Sequence, residues 1–356
     1  MNQKNQPKSY PSPTLEEKIG QMLLVGFRGT EVNEHSSIYH DIVNNHVGNV
    51  ILFDYDVQHN QPGRNITSPA QLKKLTGDLH SLSSRPLFIS IDQEGGLVNR
   101  LKPEYGFPPS ISHQEIGNHD DPTFTYDQAS RIAETLRQLD ININFAPCVD
   151  VNINPDNPII AGKERSFSPD PRKVAKHAGT FLRAHADRGI IGCAKHFPGH
   201  GSSKDDTHLG MADVTDTWCE EELIPYRHLI STGLCKMIMT THIINRNLDP
   251  DKPATLSKKI LTGILRNQLG YEGIIVSDDL EMGAIGKHFG LREAVESAIL
   301  AGVDILTFGK NIAIEPADTS HVISIIKDML ERGLIDESRI DESYGRIMDV
   351  KEKMKV

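Results

Sequence analysis

Residues 273–278 read GIIVSD, a short apolar run that ends in a carboxylate. Seven other runs of strand length are spread along the chain, and each is apolar enough to form a strand buried on both faces, as parallel sheets require. These other runs are 21–27 (QMLLVGF), 48–53 (GNVILF), 87–92 (LFISID), 143–149 (INFAPCV), 189–195 (GIIGCAK), 236–241 (KMIMTT) and 302–308 (GVDILTF). The sequence therefore predicts eight buried strands.

Helical segments are predicted between these strands, and several carry recognisable start signals. Thr14 and Glu17 have the spacing of a capping box, in which each side chain accepts the backbone amide of the other residue. Ser68-Pro69 and Asp170-Pro171 each place a capping residue before a proline in the first helical turn. Further helices are predicted over roughly 126–140, 220–232, 257–270, 291–301, 320–333 and 337–354.

Strands that alternate with helices favour a parallel sheet, which is either closed into a barrel or open and doubly wound. The phosphate-binding fingerprint G-x-G-x-x-G, common after the first strand of the open form, is absent there. At 356 residues the chain exceeds what a minimal eightfold barrel needs and is short for two enzyme-sized domains. We therefore expect an α/β fold with a single (β/α)8 TIM-type barrel over residues 14–356, preceded by a polar N-terminal extension over residues 1–13.

Polar residues concentrate at the carboxyl ends of the predicted strands. In a barrel all loops that follow strands emerge on one face, which carries the active site, and these loops are long in this chain. A structural barrel has no need of charges at that mouth, because burying a charge is costly unless it is paired. The concentration therefore predicts a site, formed by Asp92, Asp150, Lys195, His196, His242 and Asp278.

Two features of this predicted site leave alternatives open. Asp278 and Asp279 are consecutive on a strand, so only one of them can face the barrel mouth, and alternation alone does not say which. In the loop 195–208 (KHFPGHGSSKDDTH), Asp206 lies two residues before His208. A carboxylate beside an imidazole fixes its tautomer and favours its protonated form, so this pair could deliver a proton to a leaving oxygen.

Composition narrows the class of partner and compartment. The net charge of −10 disfavours a nucleic acid or an anionic membrane, because either would be repelled, and it is neutral towards a sugar. No run is long and apolar enough to span a membrane, and no apolar signal sequence is visible at the N-terminus. The four cysteines form no C-x-x-C pair and suit a reducing compartment. These features predict a soluble cytoplasmic protein, whose oligomeric state the sequence does not indicate.

The motifs at these positions resemble family 3 glycoside hydrolases, specifically the bacterial β-N-acetylglucosaminidases. The resemblance covers nearly the whole chain, and KHFPGHG followed by D-T-H is its most specific part. Its motifs are IDQEGG at 91–96, NFAPCVDVN at 144–152, ERSFSPDP at 164–171, KHFPGHGSSKDDTHLGM at 195–211 and IIVSDDLEMGAI at 274–285.

The resemblance implies a role for each candidate residue. Asp278 becomes the nucleophile, His208 the acid/base and Asp206 its partner in a dyad. Two departures from the family pattern are visible: the dyad reads Asp-Thr-His where Asp-Ser-His is usual, and the loop after the second strand is longer than typical. The chain also ends after the barrel, so the dyad replaces the acid/base glutamate that a second domain supplies in larger relatives. Substrate binding falls to Asp92, Arg100, Arg165, Lys195 and His196.

The function implied is a retaining exo-glycosidase that hydrolyses terminal β-linked N-acetylglucosamine through a covalent glycosyl-Asp intermediate, without metal or cofactor. A muropeptide-like carbohydrate in cell-wall recycling is the expected substrate. Substrate-assisted hydrolysis by Asp279 and Glu281, a phosphorylase variant and a non-catalytic sugar-binding barrel are alternatives. A metal-dependent barrel hydrolase is another, although its usual H-x-H on the first strand is missing. Its candidate ligands are His196, His200, His208 and His242.

Overall fold

The computed structural model describes residues 12–207, 210–313 and 315–354, and its main sheet is a closed barrel of eight parallel strands. The strands are β1 (Leu23–Gly26), β2 (Asn49–Leu52), β3 (Phe88–Ile91), β4 (Ile143–Asn144), β5 (Ile191–Phe197), β6 (Met237–Thr240), β7 (Ile274–Asp279) and β8 (Ile305–Phe308). They pair in chain order, and β8 pairs back onto β1. The predicted (β/α)8 barrel is confirmed. The boundary between residues 1–13 and 14–356 stays a prediction, because residues 1–11 lie outside the described part.

Helices surround the barrel, and most begin where their caps predict. The reciprocal capping box of Thr14 and Glu17 is present, and Ser68 and Asp170 each accept a first-turn amide. Within the described ranges, no helix is both long and apolar enough to cross a membrane. The helices are Leu15–Gln21, Ser37–Val43, Pro69–Leu82, His113–His119, Pro122–Gln138, Pro171–Ala186, Ile224–Ser231, Lys259–Gln268 (with π-helical hydrogen bonds), Gly283–Gly286, Leu291–Ala301, Thr319–Glu331 and Glu337–Lys353, with 3-10 turns at Pro103–Tyr105, Glu220–Leu223 and Ala254–Leu256.

Three short helices are not predicted from the sequence: Ser37–Val43, His113–His119 and Gly283–Gly286. Each has seven residues or fewer, which is too few for a helical period of apolar residues to stand out. The stretch 93–125 after β3, one of the long loops expected from the sequence, therefore contains a helix in its second half. The signal available there was the cap, since the Ser112 hydroxyl accepts the Glu115 amide at 3.1 Å.

Side chains fill the inside of the barrel, so the strands enclose a packed core and not a channel. The residues that line the lumen come from seven of the eight strands or the residues directly after them and are mostly apolar. As in other barrels of this kind, the open end formed by the loops after the strands is left to carry the site. The lining residues are Leu24, Asn49, Phe88, Ser90, Ile143, Phe145, Met237, Val276 and Ile305.

A buried carboxylate at the end of the barrel opposite the long loops connects two helices to two strands. Asp304, just before β8, is fully buried and accepts the Ile275 amide at 2.9 Å. Arg266 and Arg346, from helices Lys259–Gln268 and Glu337–Lys353, donate to it at 2.6 and 3.1 Å. Pairing removes the cost of burying the charge, so this cluster fixes the end of the barrel opposite the site.

The long loop after β2 is folded onto the rim of the open end. Its residues Tyr55–Asp56 pair with Gln61–Pro62 in a small antiparallel ladder. Asn311, in the loop after β8, accepts the Val57 amide at 3.0 Å and donates to the Tyr55 carbonyl at 3.1 Å. The two loops therefore form one connected wall above β1.

Candidate active site

Asp278 lies near the end of β7, on the face of the strand that points into the barrel. Val276, two residues earlier, lines the lumen, and alternate residues of a strand share a face. The Asp278 amide donates to Thr240 Oγ1 at 3.3 Å, and Asp278 Oδ1 accepts the Asp279 amide at 2.9 Å. Its side chain is only partly buried, so it reaches the solvent at the mouth. The structure therefore places Asp278, and not Asp279, at the barrel mouth.

Asp279 and Glu281 point instead towards the loop after β8. Asp279 Oδ1 accepts the amides of Glu281 and Gly309 at 3.0 and 3.2 Å. The two carboxylate oxygens of Glu281 accept the amides of Lys310 and Ala317 at 2.6 and 2.7 Å. Burial and the neighbouring Glu281 carboxylate raise the pKa of Asp279 to about 8. This pair orders the backbone behind β7, which disfavours the substrate-assisted alternative.

Two buried cations alternate with two carboxylates, buried Glu94 and partly exposed Asp92, across the ends of β3 and β5 and the loop after β4. Lys195 Nζ lies 2.8 Å from Asp92 Oδ1 and 2.8 Å from Glu94 Oε1. Arg165 holds Glu94 with two parallel hydrogen bonds, from Nε at 2.9 Å and from the guanidinium nitrogen Nη2 at 2.8 Å. The forked geometry of arginine suits this bidentate contact. Three of the five residues predicted to bind substrate are thus joined in one network through Glu94.

The network keeps all four groups charged despite their burial. Burial by itself would raise the pKa of Glu94, but Arg165 and Lys195 lower it well below its ordinary value. Burial likewise opposes ionisation of Asp92, whose pKa is lowered by Lys195 and Arg100. In return, Asp92 and Glu94 raise the pKa of Lys195 above its usual range against the effect of burial. The site thus presents a few charged groups in fixed positions, which is how pockets orient a ligand.

Arg100 joins this network from the loop after β3 and is shared between two carboxylates. It lies 3.4 Å from Asp92 Oδ2 and 3.7 Å from Asp54 Oδ1, and its side chain keeps 29% of its exposure. Lys102 neutralises Asp54 from the same loop, at 2.7 Å. The backbone of Arg100 is fixed as well, because its amide donates to Gln93 Oε1 at 3.0 Å. Arg100 is therefore more accessible than Lys195 and Arg165, whose side chains keep 3% and 10% of their exposure.

His196 links Arg165 to the buried carboxylate of Asp150. His196 Nδ1 lies 2.7 Å from Asp150 Oδ2, and Nε2 lies 3.1 Å from an Arg165 guanidinium nitrogen. Because arginine can only donate, Nε2 accepts and the ring proton sits on Nδ1, pointing to Asp150. Cys148 adds a thiol contact to the same oxygen at 3.1 Å. His196 thus accepts from the arginine and contacts the Asp150 carboxylate.

The histidines that the sequence suggests as metal ligands do not come together around one point in the described part of the chain. His242 donates from Nε2 to the Asp279 carbonyl at 2.9 Å, and its Nδ1 contacts Thr255. The rings of His196 and His200 have their centroids 6.2 Å apart. Among the described residues, the only three potential ligand atoms within 4.8 Å of one another belong to Cys148, Asp150 and His196, whose hydrogen bonds already satisfy one another.

The loop after β5, residues 198–219, carries the predicted dyad, and its described part approaches β7. Residues 198–203 are buried, whereas Asp206 is partly exposed. The Thr207 carbonyl accepts the amide of Ala284, in the helix that follows β7, at 3.2 Å. The Thr207 hydroxyl lies 3.4 Å from His200 Nε2. The segment next to Asp206 is therefore tied to the strand-end region of Asp278, while His208, the predicted acid/base, lies outside the described residues.

Sequence reasoning did not single out Glu94 or Asp54, although both are almost fully buried in this network. Glu94 could have been found, because it lies in IDQEGG two residues after Asp92. Two strand-end acids this close require buried cations, which the later arginine and lysine motifs supply. Asp54 ends the β2 run ILFD, yet its partners Arg100 and Lys102 are nearly fifty residues away in the chain, so no local pattern reveals it.

Replacing Lys195 with methionine is expected to lower the free energy of unfolding by roughly 3–5 kcal/mol, because Asp92 and Glu94 would stay buried with one cation fewer. Denaturant unfolding of the purified variant measures the loss. Lys252→Met is the matched control, since Lys252 pairs with the half-exposed Glu293 on the surface. That control should cost no more than about 1 kcal/mol. Equal losses in the two variants would show that the network does not stabilise the fold.

Sequence comparisons find relatives along most of the chain. The beta-hexosaminidase A of Pseudoalteromonas piscicida is 35% identical over 333 residues, which cover 86% of this chain and 54% of that protein. The beta-hexosaminidase of Nitrosomonas eutropha is 32% identical over 332 residues, covering 91% and 89%. This chain thus spans about half of the first relative and most of the second.

Solved structures give the same result. A glycoside hydrolase family 3 beta-N-acetylglucosaminidase from Paenibacillus superposes with a TM-score of 0.86 at 35% identity, over 96% of this chain and 62% of that one. The beta-N-acetylhexosaminidase of Beutenbergia cavernae superposes with a TM-score of 0.85 at 26% identity, over 96% and 99%. Residues 14–350 match the family described as Glycosyl hydrolase family 3 N terminal domain. This chain is therefore a member of glycosyl hydrolase family 3.

Proposed function

We propose that this chain is a retaining exo-glycosidase that hydrolyses terminal β-linked N-acetylglucosamine, with Asp278 as its nucleophile. The observation that carries the proposal is the position of Asp278. Its partly exposed carboxylate shares the barrel mouth with the network of Asp92, Lys195 and Arg165. A carboxylate beside a fixed array of sugar-binding groups is what formation of a glycosyl ester requires.

The reaction would proceed as a double displacement. Asp278 attacks the anomeric carbon, and the leaving oxygen takes a proton from His208, which Asp206 holds in its protonated form. Water then gives its proton to His208 and attacks the glycosyl-Asp278 ester, which releases the sugar with its original configuration. An imidazole has an unperturbed pKa near 6.5, so it can exchange this proton near neutrality. The tie between Thr207 and Ala284 supports this assignment, because it keeps Asp206 close to the region after β7.

The substrate-binding roles follow from accessibility within the network. The side chains of Arg100 and Asp92 keep 29% and 16% of their exposure, whereas those of Lys195 and Glu94 keep 3% and 2%. Arg100 and Asp92 would therefore meet the sugar hydroxyls first. Lys195, Arg165 and His196 would complete the floor of the pocket, and Glu94 would hold the two cations from behind.

The names of the relatives support the choice of sugar, since they describe beta-hexosaminidases and a beta-N-acetylglucosaminidase. We propose peptidoglycan fragments, handled in the cytoplasm during cell-wall recycling, as the natural substrate. The four cysteines suit that compartment, because each is a free thiol.

A panel of nitrophenyl glycosides tests the proposed activity. We expect kcat/KM for β-N-acetylglucosaminide to exceed that for β-glucoside and β-N-acetylgalactosaminide, and proton NMR to show the β-anomer as the first product. Rates should not change with added phosphate. A first product of α configuration would overturn the retaining mechanism, and a rate that requires phosphate would identify a phosphorylase.

A further inference from the structure

The first part of the loop after β5 is a buried turn that two later residues hold in place. Glu222 Oε2 accepts the amide of Gly201 at 3.0 Å. Trp218 donates from its indole nitrogen to the Pro198 carbonyl at 3.1 Å. Glu222 is itself 1% exposed and lies in the 3-10 turn Glu220–Leu223, where the loop ends. The start of the loop is therefore fixed against its own end.

Two glycines show how closely this turn is packed. Gly199 has a φ of +124°, and a Cβ there would lie 2.7 Å from the Glu222 carboxyl oxygen Oε2. A Cβ on Gly201 would lie 1.7 Å from the Val151 carbonyl, on the opposite side of the turn. The backbone of the turn is thus in close contact with both the Glu222 side chain and the loop after β4. The side chain at position 222 therefore determines where the turn lies.

We propose, on the basis of the function proposed above, that Glu222 is a positioning residue: it holds the 198–203 turn so that the following segment presents Asp206 to the site. Four residues separate Gly201 from Asp206, and the tie between Thr207 and Ala284 holds the far side of this segment. Displacement of the turn would move Asp206 relative to the leaving oxygen without removing any group of Asp278, although it would also reach Asp150, which accepts the His200 amide at 2.8 Å. A shift of about 1 Å in such a group can cost roughly 10²-fold in rate.

Glu222 acts in this position as a neutral acid. Burial raises the pKa of Glu222 to about 8, and the carboxylate of Asp150, facing it from the loop after β4, adds to the rise. Hydrogen bonds from the Ser202 hydroxyl and from the amides of Gly201 and Ser202 oppose this rise in the pKa of Glu222. Cys219, three residues before Glu222, is also near the carboxyl group. The folded protein holds the proton of Glu222 more tightly than the unfolded chain does. This proton therefore stabilises the fold fully at pH values below the pKa of Glu222 in the unfolded chain. The stabilisation is lost as the pH rises from there towards 8.

Leaving-group dependence tests the role of Glu222. In Glu222→Ala we expect kcat for a methyl N-acetylglucosaminide, whose leaving group is poor, to fall by about 10²-fold, with KM little changed. Turnover of the dinitrophenyl glycoside, which needs no proton, should fall by less than about threefold. Glu222→Gln keeps the shape of the neutral acid and should restore most of the lost rate. Glu221→Ala, at an exposed position in the same turn, is the matched control.

A second measurement, the pH dependence of the melting temperature, tests whether Glu222 is protonated in the folded protein. Between about pH 6 and about pH 9, the melting temperature of the wild type should fall more steeply than that of Glu222→Gln. Equal losses of Glu222→Ala on both substrates, or parallel melting curves for the wild type and Glu222→Gln, would overturn the proposal for Glu222. An inactive wild type would instead remove the proposed function, while the melting comparison would still test the buried acid.

Discussion

Asp278→Ala is expected to lower kcat for N-acetylglucosaminides by about four orders of magnitude or more while the barrel stays folded. The carboxylate is the group that would bond to the anomeric carbon, and an alanine side chain cannot form that ester. Its alanine variant removes a partly exposed charge and no packed apolar surface, so circular dichroism and the melting temperature should change little. Steady-state kinetics on the dinitrophenyl glycoside gives the loss.

Two controls make this result specific to a nucleophile. Azide added to Asp278→Ala should restore turnover of the dinitrophenyl glycoside and yield the α-glycosyl azide, because the small anion occupies the space of the lost carboxylate. Asp279→Ala, at the next residue, should mainly lower stability, since the amides of Glu281 and Gly309 would lose their acceptor. A β-glycosyl azide, or a larger catalytic loss in Asp279→Ala, would contradict the assignment.

The loss in kcat/KM caused by His208→Ala is expected to depend on the leaving group of the substrate. For poor leaving groups we expect a loss of about 10²–10⁴-fold in kcat/KM, because the departing oxygen no longer receives a proton. The dinitrophenyl glycoside should lose far less in its first step. Kinetics on a series of aryl glycosides gives the slope of log kcat/KM against the pKa of the leaving group. This slope should be steeper in the variant than in the wild type.

The neighbouring acids provide a matched pair for the same test. Asp206→Ala should imitate His208→Ala in direction, because Asp206 favours the protonated imidazole. Asp205→Ala changes the adjacent, exposed carboxylate and should leave the slope as in the wild type. If His208→Ala lost the same factor on every leaving group, the proton-transfer role would be excluded.

The barrel could be predicted from the sequence because its strands are buried on both faces. Each strand then reads as an apolar run, and caps such as Thr14 with Glu17 mark the helices between them. Short helices such as His113–His119 could not be found in this way, since two turns carry little periodicity.

The candidate site could be predicted only in part. Strand ends predicted Asp92, Lys195 and Asp278, since parallel strands bring their carboxyl ends together. The choice between Asp278 and Asp279 needed coordinates or a resemblance, because alternation gives both faces equally. Partners that are distant in the chain, such as Asp54 and Glu222, could not be found, since only the folded chain brings them to Arg100 and Gly201.

The alternating network at the ends of β3 and β5 has a consequence for how substrate arrives. Asp92 and Glu94 carry two negative charges, and Lys195 and Arg165 carry two positive ones, so the charges of these four groups sum to zero. Equal and interleaved charges cancel within a few ångströms, and their field does not extend into the solvent as that of a single charge would. A neutral terminal sugar, as proposed for the substrate, would therefore enter without displacing counterions from these four groups, and its capture rate should be set by ordinary diffusion, with little dependence on ionic strength.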